Sequence, residues 1–244
     1  MRPLSTAELL QVWEQGLREP AARRSLALLT SACEDIPSEA IATLSVGDRD
    51  SRLLKLREWT FGSELLSVAS CPSCNERLEW STLASNLSVN VDRDSPRQFT
   101  YAQDDYHVIF RLPNVSDVMG ASECQSVESA RRFLLRNCLL EARADSAETA
   151  PDELPDSVVE AVIRRMSEAD PQADLEIELA CPACEHRWRA SFDIESFFWN
   201  ELSAWAKRLL GDVHILASAY GWREADILNL PPQRREIYLD LING

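Results

Sequence analysis

Two short cysteine pairs, Cys71-Pro72-Ser73-Cys74 and Cys181-Pro182-Ala183-Cys184, constrain this chain more than any other feature of its sequence. Aligned on the cysteines, residues 68–80 and 178–190 share both thiols, the proline between them, and an arginine three positions after the second thiol, Arg77 and Arg187. The second copy is flanked by clean alternation. Leu175, Ile177 and Leu179 alternate with Asp174, Glu176 and Glu178, and beyond the pair Trp188, Ala190 and Phe192 alternate with Arg187, Arg189 and Ser191. Period-two alternation marks a half-buried hairpin with the cysteines at its tip. The first copy is less regular, and Leu66, Val68, Leu78 and Trp80 are read in the same inward phase. Two hairpins that each offer two thiolates are the parts of a zinc ribbon, in which one tetrahedral zinc takes four sulfurs at about 2.3 Å.

The spacing departs from a compact ribbon, because 106 residues (75–180) separate the pairs where about 15 to 20 is usual. Closing a flexible loop of that length costs roughly 4 kcal/mol, whereas a structural zinc site supplies on the order of 10 kcal/mol or more. One structural zinc held by Cys71, Cys74, Cys181 and Cys184 is therefore the expectation. The alternatives are a dithiol redox pair, which would want a thioredoxin-like βαβ setting, or two inert pairs that never meet. Cys33, Cys124 and Cys138 read as structural, with Cys33 and Cys138 in the role of small buried hydrophobes. If Cys124 and Cys138 shared one helix they would stand about 21 Å apart, too far to bind one metal. Of the three histidines, only His186 lies near a cysteine pair, and it is expected on the outside of the hairpin rather than as a ligand.

Charge narrows the function classes. With 25 basic and 40 acidic residues the formal net charge is −15, so the chain repels a phosphate backbone unless it carries a local basic stripe. Arg131-Arg132, Arg164-Arg165 and Arg234-Arg235 are far apart in sequence and sit among acids, and read as solvated helix faces. Only 7 of 244 residues are glycine, which leaves no Gly-rich phosphate cradle and favours helix over turn-rich β structure. No apolar run approaches the length of a membrane span. The N-terminal residues lack the apolar core of a secretory signal, so the expected compartment is the cytoplasm. Nucleophile elbows and His-Glu-x-x-His signatures are missing from the sequence, and a zinc closed by four cysteines keeps no position for a reactive water. The expectation is a protein that is not an enzyme, with no nucleic-acid, membrane or small-molecule partner.

The expected fold is α+β: a split zinc-ribbon-like β unit with a helical insertion, flanked by N- and C-terminal helical segments. Residues 1–60 form the first helical segment, where Ser5-Thr6-Ala7-Glu8 is a capping box, Pro20 opens a second helix, and a third runs from about Asp48. Residues 61–112 and 171–195 form the β unit, with strands also expected over 87–91 and 106–112. Residues 113–170 form an acidic insertion with helices over 127–142 and 157–168, and 145–156 is read as a mobile loop. Residues 196–244 are helical. In that last segment Val213, Leu216, Ala217 and Tyr220 make one apolar stripe, Trp222, Ile227, Leu228 and Leu230 a second set, and Ile237, Tyr238 and Leu239 a third. Such short amphipathic pieces fold on one another or on a partner.

Several blocks in order carry a family resemblance. They are Gly47-Asp48-Arg49-Asp50 with Leu53-Leu54-Lys55-Leu56-Arg57 and Phe61-Gly62; Cys71-Pro72-Ser73-Cys74; Arg111-Leu112-Pro113-Asn114; Ala169-Asp170-Pro171-Gln172-Ala173-Asp174 before Cys181-Pro182-Ala183-Cys184; and Leu209 to Trp222 with Ile227-Leu228-Asn229-Leu230, Arg234-Arg235 and Tyr238-Leu239. On these the chain resembles the T-even-phage-type baseplate hub assembly chaperone family, in a longer, zinc-knuckle form found with phage tails and contractile injection systems. The resemblance implies a non-enzymatic assembly factor or minor structural component of a baseplate hub. It implies hub or baseplate proteins as partners, and a place in the cytoplasm or in a phage-like particle. The rival reading is a zinc-ribbon adaptor in transcription or nucleic-acid handling, against which the acidic charge counts. A zinc hydrolase would need fewer than four cysteine ligands.

Overall fold

The structure is a computed structural model and describes residues 1–89, 98–103, 105–145 and 147–243. Helix and small sheets are mixed, which is the α+β class expected. The chain divides into two compact units, one made of residues 1–35 with 195–244 and the other of residues 36–194.

In the first unit, α1 (Thr6–Gly16) starts at the expected capping box, with Ser5 accepting from the Glu8 N–H and Glu8 reaching back to the cap. Arg2 ion-pairs with Glu8 and Glu34, and the Glu8 carboxyl is lowered to about 2, first by the Arg2 hydrogen bond. α2 (Ala21–Ala32) follows. The 27-residue α9 (Ile194–Tyr220) contributes Phe198, Leu202, Ala206 and Leu209, all buried. Trp13 donates to Ser203 at 3.3 Å, and the Arg24 guanidinium lies 4.7 Å from the centre of the Trp199 ring. α10 (Glu224–Leu228) and α11 (Pro232–Asn243) complete the unit. Val213, Leu216 and Ile227 make a buried cluster, against which Trp222, Tyr238 and Leu239 pack.

The second unit opens with α3 (Ser38–Ala42) and α4 (Val46–Phe61). The first hairpin is β1 (Glu64–Ser70) with β2 (Arg77–Leu83), and α5 (Ala84–Leu87) follows. β3 (Phe99–Gln103), β4 (Tyr106–Phe110), α6 (Val115–Ser122), α7 (Val127–Cys138), β5 (Leu139–Ala144), β6 (Ala147–Glu148) and α8 (Asp156–Ala169) come next. The second hairpin is β7 (Leu175–Ala180) with β8 (Arg187–Phe192). β3 to β6 form one sheet in sequence order. Val108, Phe110, Leu139 and Ala142 from that sheet form one core with Val158, Val159 and Val162 of α8. Phe99 stacks on Phe110 at 5.5 Å.

Several expectations are corrected by this arrangement. The helix expected over 127–142 ends at Cys138 and the chain continues as β5, because Val108 and Phe110 offer β5 a partner strand that outweighs the helical preference of Leu139 to Ala142. The segment read as a mobile loop holds β6 and a 3-10 turn at Pro151–Glu153, while residue 146 lies outside the described residues. Of the stretch 87–91 expected as a strand, Leu87 closes α5, Ser88 and Val89 join no strand, and residues 90 and 91 lie outside the described residues. Cys124 lies past the end of α6, so it shares no helix with Cys138. Burial pushes the Cys138 thiol up to about 12, as befits a structural cysteine.

Two of the sequence blocks singled out above meet where α4 begins. The Gly47 N–H donates to Asp170 Oδ2 at 3.0 Å, and burial raises the pKa of the Asp170 carboxyl against the pull of that bond. Two residues on, buried Gln172 donates to the Leu87 carbonyl at 3.1 Å and accepts from the Val89 N–H at 2.7 Å. A Cβ at Gly47 would stand 1.8 Å from Asp170 Oδ1 and 3.1 Å from the Ala173 backbone nitrogen. Gly47→Ala is therefore expected to cost about 2 kcal/mol or more, read as a lowered urea midpoint at unchanged slope; an unchanged midpoint would show that this contact is dispensable.

Candidate metal centre

Each cysteine pair closes on itself in the same way. The Cys71 N–H donates to the Glu76 carbonyl at 2.8 Å and the Asn75 N–H to the Cys71 carbonyl at 2.9 Å; at the second tip Cys181 donates to His186 at 2.9 Å and Glu185 to Cys181 at 2.9 Å. Both tips turn through a left-handed residue directly after the second thiol, Asn75 at φ 62° and Glu185 at φ 59°. Asparagine tolerates that conformation, whereas glutamate pays about 1 kcal/mol for it. Glu185→Gly is accordingly expected to leave the fold intact and raise its stability by up to about 1 kcal/mol, measured by thermal unfolding. A lowered midpoint would mean the Glu185 side chain has a compensating role.

The two tips meet. Cys71 and Cys184 sulfurs are 3.7 Å apart and those of Cys74 and Cys181 3.5 Å apart. All four ligand atoms lie within 4.8 Å of one another. Four sulfurs at about 2.3 Å from a common centre have tetrahedral edges of about 3.8 Å, so these separations suit a metal of that bond length. Cys71 and Cys181 are buried and form a small core with Leu78, on which Ala69 and Trp188 pack; Cys74 and Cys184 are exposed. Trp80 and Phe192 meet edge to face at 6.3 Å between the inner faces of the two hairpins. The thiols from sequence-distant pairs thus come together as the repeat implied. His186 is exposed and stacks beside Trp188 with ring centres 6.0 Å apart.

The inward phase assigned to the first hairpin holds for Leu78 and Trp80 and is overturned for Leu66 and Val68. Its register pairs Leu65 with Thr82, Ser67 with Trp80 and Ala69 with Leu78, and these make the inner face. Leu66 and Val68 point outward, 69% and 46% exposed. The cause is parity from the cysteine. In the second copy Leu179 and Ile177, two and four residues before Cys181, face inward; the equivalents are Ala69 and Ser67, whereas Leu66 and Val68 stand at odd offsets from Cys71. Hydrophobicity alone suggested the wrong face, and the repeat aligned on its thiols gives the right one.

Comparison with known proteins places this sequence in a family. The sequence model of the family described as "T4 bacteriophage base plate protein" matches residues 9–199. The chain belongs to that family. Base plate membership gives the chain a phage baseplate-associated role. The matched region of this base plate protein takes in the Gly47–Asp170 junction and all four clustered cysteines. No curated protein and no solved structure matches the chain. Among the described residues, no helix is long and apolar enough to cross a membrane.

Proposed function

We propose that this base plate protein is a non-enzymatic assembly factor, a chaperone or a minor structural component, of the baseplate hub of a phage-like contractile tail or injection system. The observation that carries the reading is the family match over residues 9–199, with the resemblance of the sequence blocks to hub assembly chaperones narrowing it. Residues 61–112 and 171–195 act as a split zinc-ribbon-like unit in which Cys71, Cys74, Cys181 and Cys184 hold one structural zinc. The donor set supports this, since four thiolates at these separations suit zinc and leave it no open coordination position for chemistry. The metal's role is then architectural: it joins two hairpins that are distant in sequence. The partners are other baseplate or hub proteins, met in the cytoplasm before or during incorporation into the particle.

A tagged copy purified from cells that make the particle tests the role. Tail proteins recovered with the chain before assembly, and the chain missing from finished particles, is the expected result for a chaperone; the chain present in finished particles is expected for a minor component. Recovery of no tail protein at either stage overturns the reading.

A further inference from the structure

The two cysteine hairpins share a backbone but differ on their outward faces. On β7–β8 that face carries charges that satisfy one another: Arg189 lies 3.3 Å from Glu176 and 3.8 Å from Glu178. At the equivalent positions of β1–β2 stand Leu66 and Val68, and Leu83, 47% exposed, lies on the same face. The remaining acids of that face, Glu64 opposite Leu83 and Glu79 opposite Val68, make no hydrogen bond or ion pair among the described residues. A shallow depression lined by Leu66, Val68, Glu79 and Ser81 lies beside them. The second hairpin serves as an internal control, because it folds on the same frame with a charged, self-paired outer face. Nothing in the frame therefore requires apolar side chains at Leu66 and Val68, and an exposed apolar patch edged by unpaired charge is the signature of an interaction surface.

We propose that the outer face of β1–β2 is a docking surface for a protein segment that presents apolar side chains flanked by lysine or arginine. The glutamates decide the partner's charge: Glu64 and Glu79 lie at the patch itself, while among the described residues of that face the one cation, Arg77, sits at the tip opposite Ser70. A second copy is disfavoured, since two such faces would bring like charges together in chains of net charge −15. That the segment belongs to a baseplate component rests on the role proposed above.

The test uses the full-length, zinc-loaded chain labelled with 15N and two synthetic ten-residue peptides, one alternating valine with lysine and one alternating valine with glutamate. The valine–lysine peptide should shift the amide signals of Leu66, Val68, Glu79 and Leu83 and leave those of Glu176 and Glu178 in place. The triple variant Leu66→Ser, Val68→Ser, Leu83→Ser should bind about tenfold more weakly or worse while keeping its metal content. Glu64→Lys with Glu79→Lys should reverse the preference toward the valine–glutamate peptide, and this pair decides the question if the triple variant does not fold. Shifts spread equally over both hairpins, or unchanged binding by the variants, would overturn the proposal. Dimerisation abolished by Leu66→Ser would also overturn it, by making a second copy the occupant. If the triple variant loses the peptide yet supports normal particle assembly, the surface stands and the link to assembly falls.

Discussion

Replacing Cys184 with serine is expected to release the metal and loosen both hairpins, including β1–β2, which the substitution does not touch. The reason is the smallness of what else joins them. Among the described residues the buried cluster at the tips is Cys71, Leu78 and Cys181, with Ala69 and Trp188 beside it, and one aromatic pair, Trp80 with Phe192, meets farther along the hairpins; two of the three buried side chains are themselves proposed ligands. A structural zinc site supplies on the order of 10 kcal/mol, far more than so few apolar contacts contribute at about 25 cal/mol per Å². Purified, reduced protein should hold about one zinc per chain by elemental analysis, and Cys71→Ser should empty it as Cys184→Ser does. Amide exchange should then quicken at Leu66 to Ser70 and at Leu175 to Ala180 together, since each hairpin supplies half of the same site. The buried position adds a second effect: the Cys71 variant should be the less stable of the two, because it places a hydroxyl at a 1% exposed site. Metal-free protein, freshly prepared under reducing conditions, would sink the zinc assignment. Loosening of only the mutated hairpin would overturn the idea that one ion joins both.

What was legible in the sequence follows from how local the signal is. The capping box at Ser5 and Glu8 and each Cys-x-x-Cys tip rest on short motifs whose geometry is set within a few residues. The repeat points to the meeting of the four thiols across residues 75–180, because a duplicated knuckle implies a duplicated frame. Features decided by distant contacts stayed hidden. Leu139 to Ala142 are read as the end of a helix and instead lie in β5, because β4 pairs with them. Asp170 and Gln172 were visible as members of a sequence block, yet their work is done on Gly47, Leu87 and Val89, far away along the chain. Leu66 and Val68 face outward because they stand at odd offsets from Cys71, a parity that hydrophobicity alone does not report.

The C-terminal helices, which the sequence left open between packing and docking, yield the second large effect. Val213, Leu216 and Ile227 are at most 7% exposed and close a core of their own with Trp222, Tyr238 and Leu239. Tyr220, Trp222 and Tyr238 pack ring against ring, with centres 4.7 to 5.7 Å apart. Leu216→Ala alone should cost about 2–5 kcal/mol. Removing residues 209–244 deletes Leu209, the last twelve residues of α9 and all of the cluster that Val213, Leu216 and Ile227 form, a loss comparable to the whole stability of an ordinary domain. The truncated chain is therefore expected to aggregate or to lose its cooperative thermal transition, and failure of particle assembly in that background would report misfolding rather than a lost contact. Leu216→Ala separates the two meanings. A variant with a clearly lowered melting temperature that still assembles particles below it is the expected result for a core residue. If the truncated protein instead melts cooperatively within a few degrees of the full chain, these helices are not core, and their apolar stripes belong to a partner.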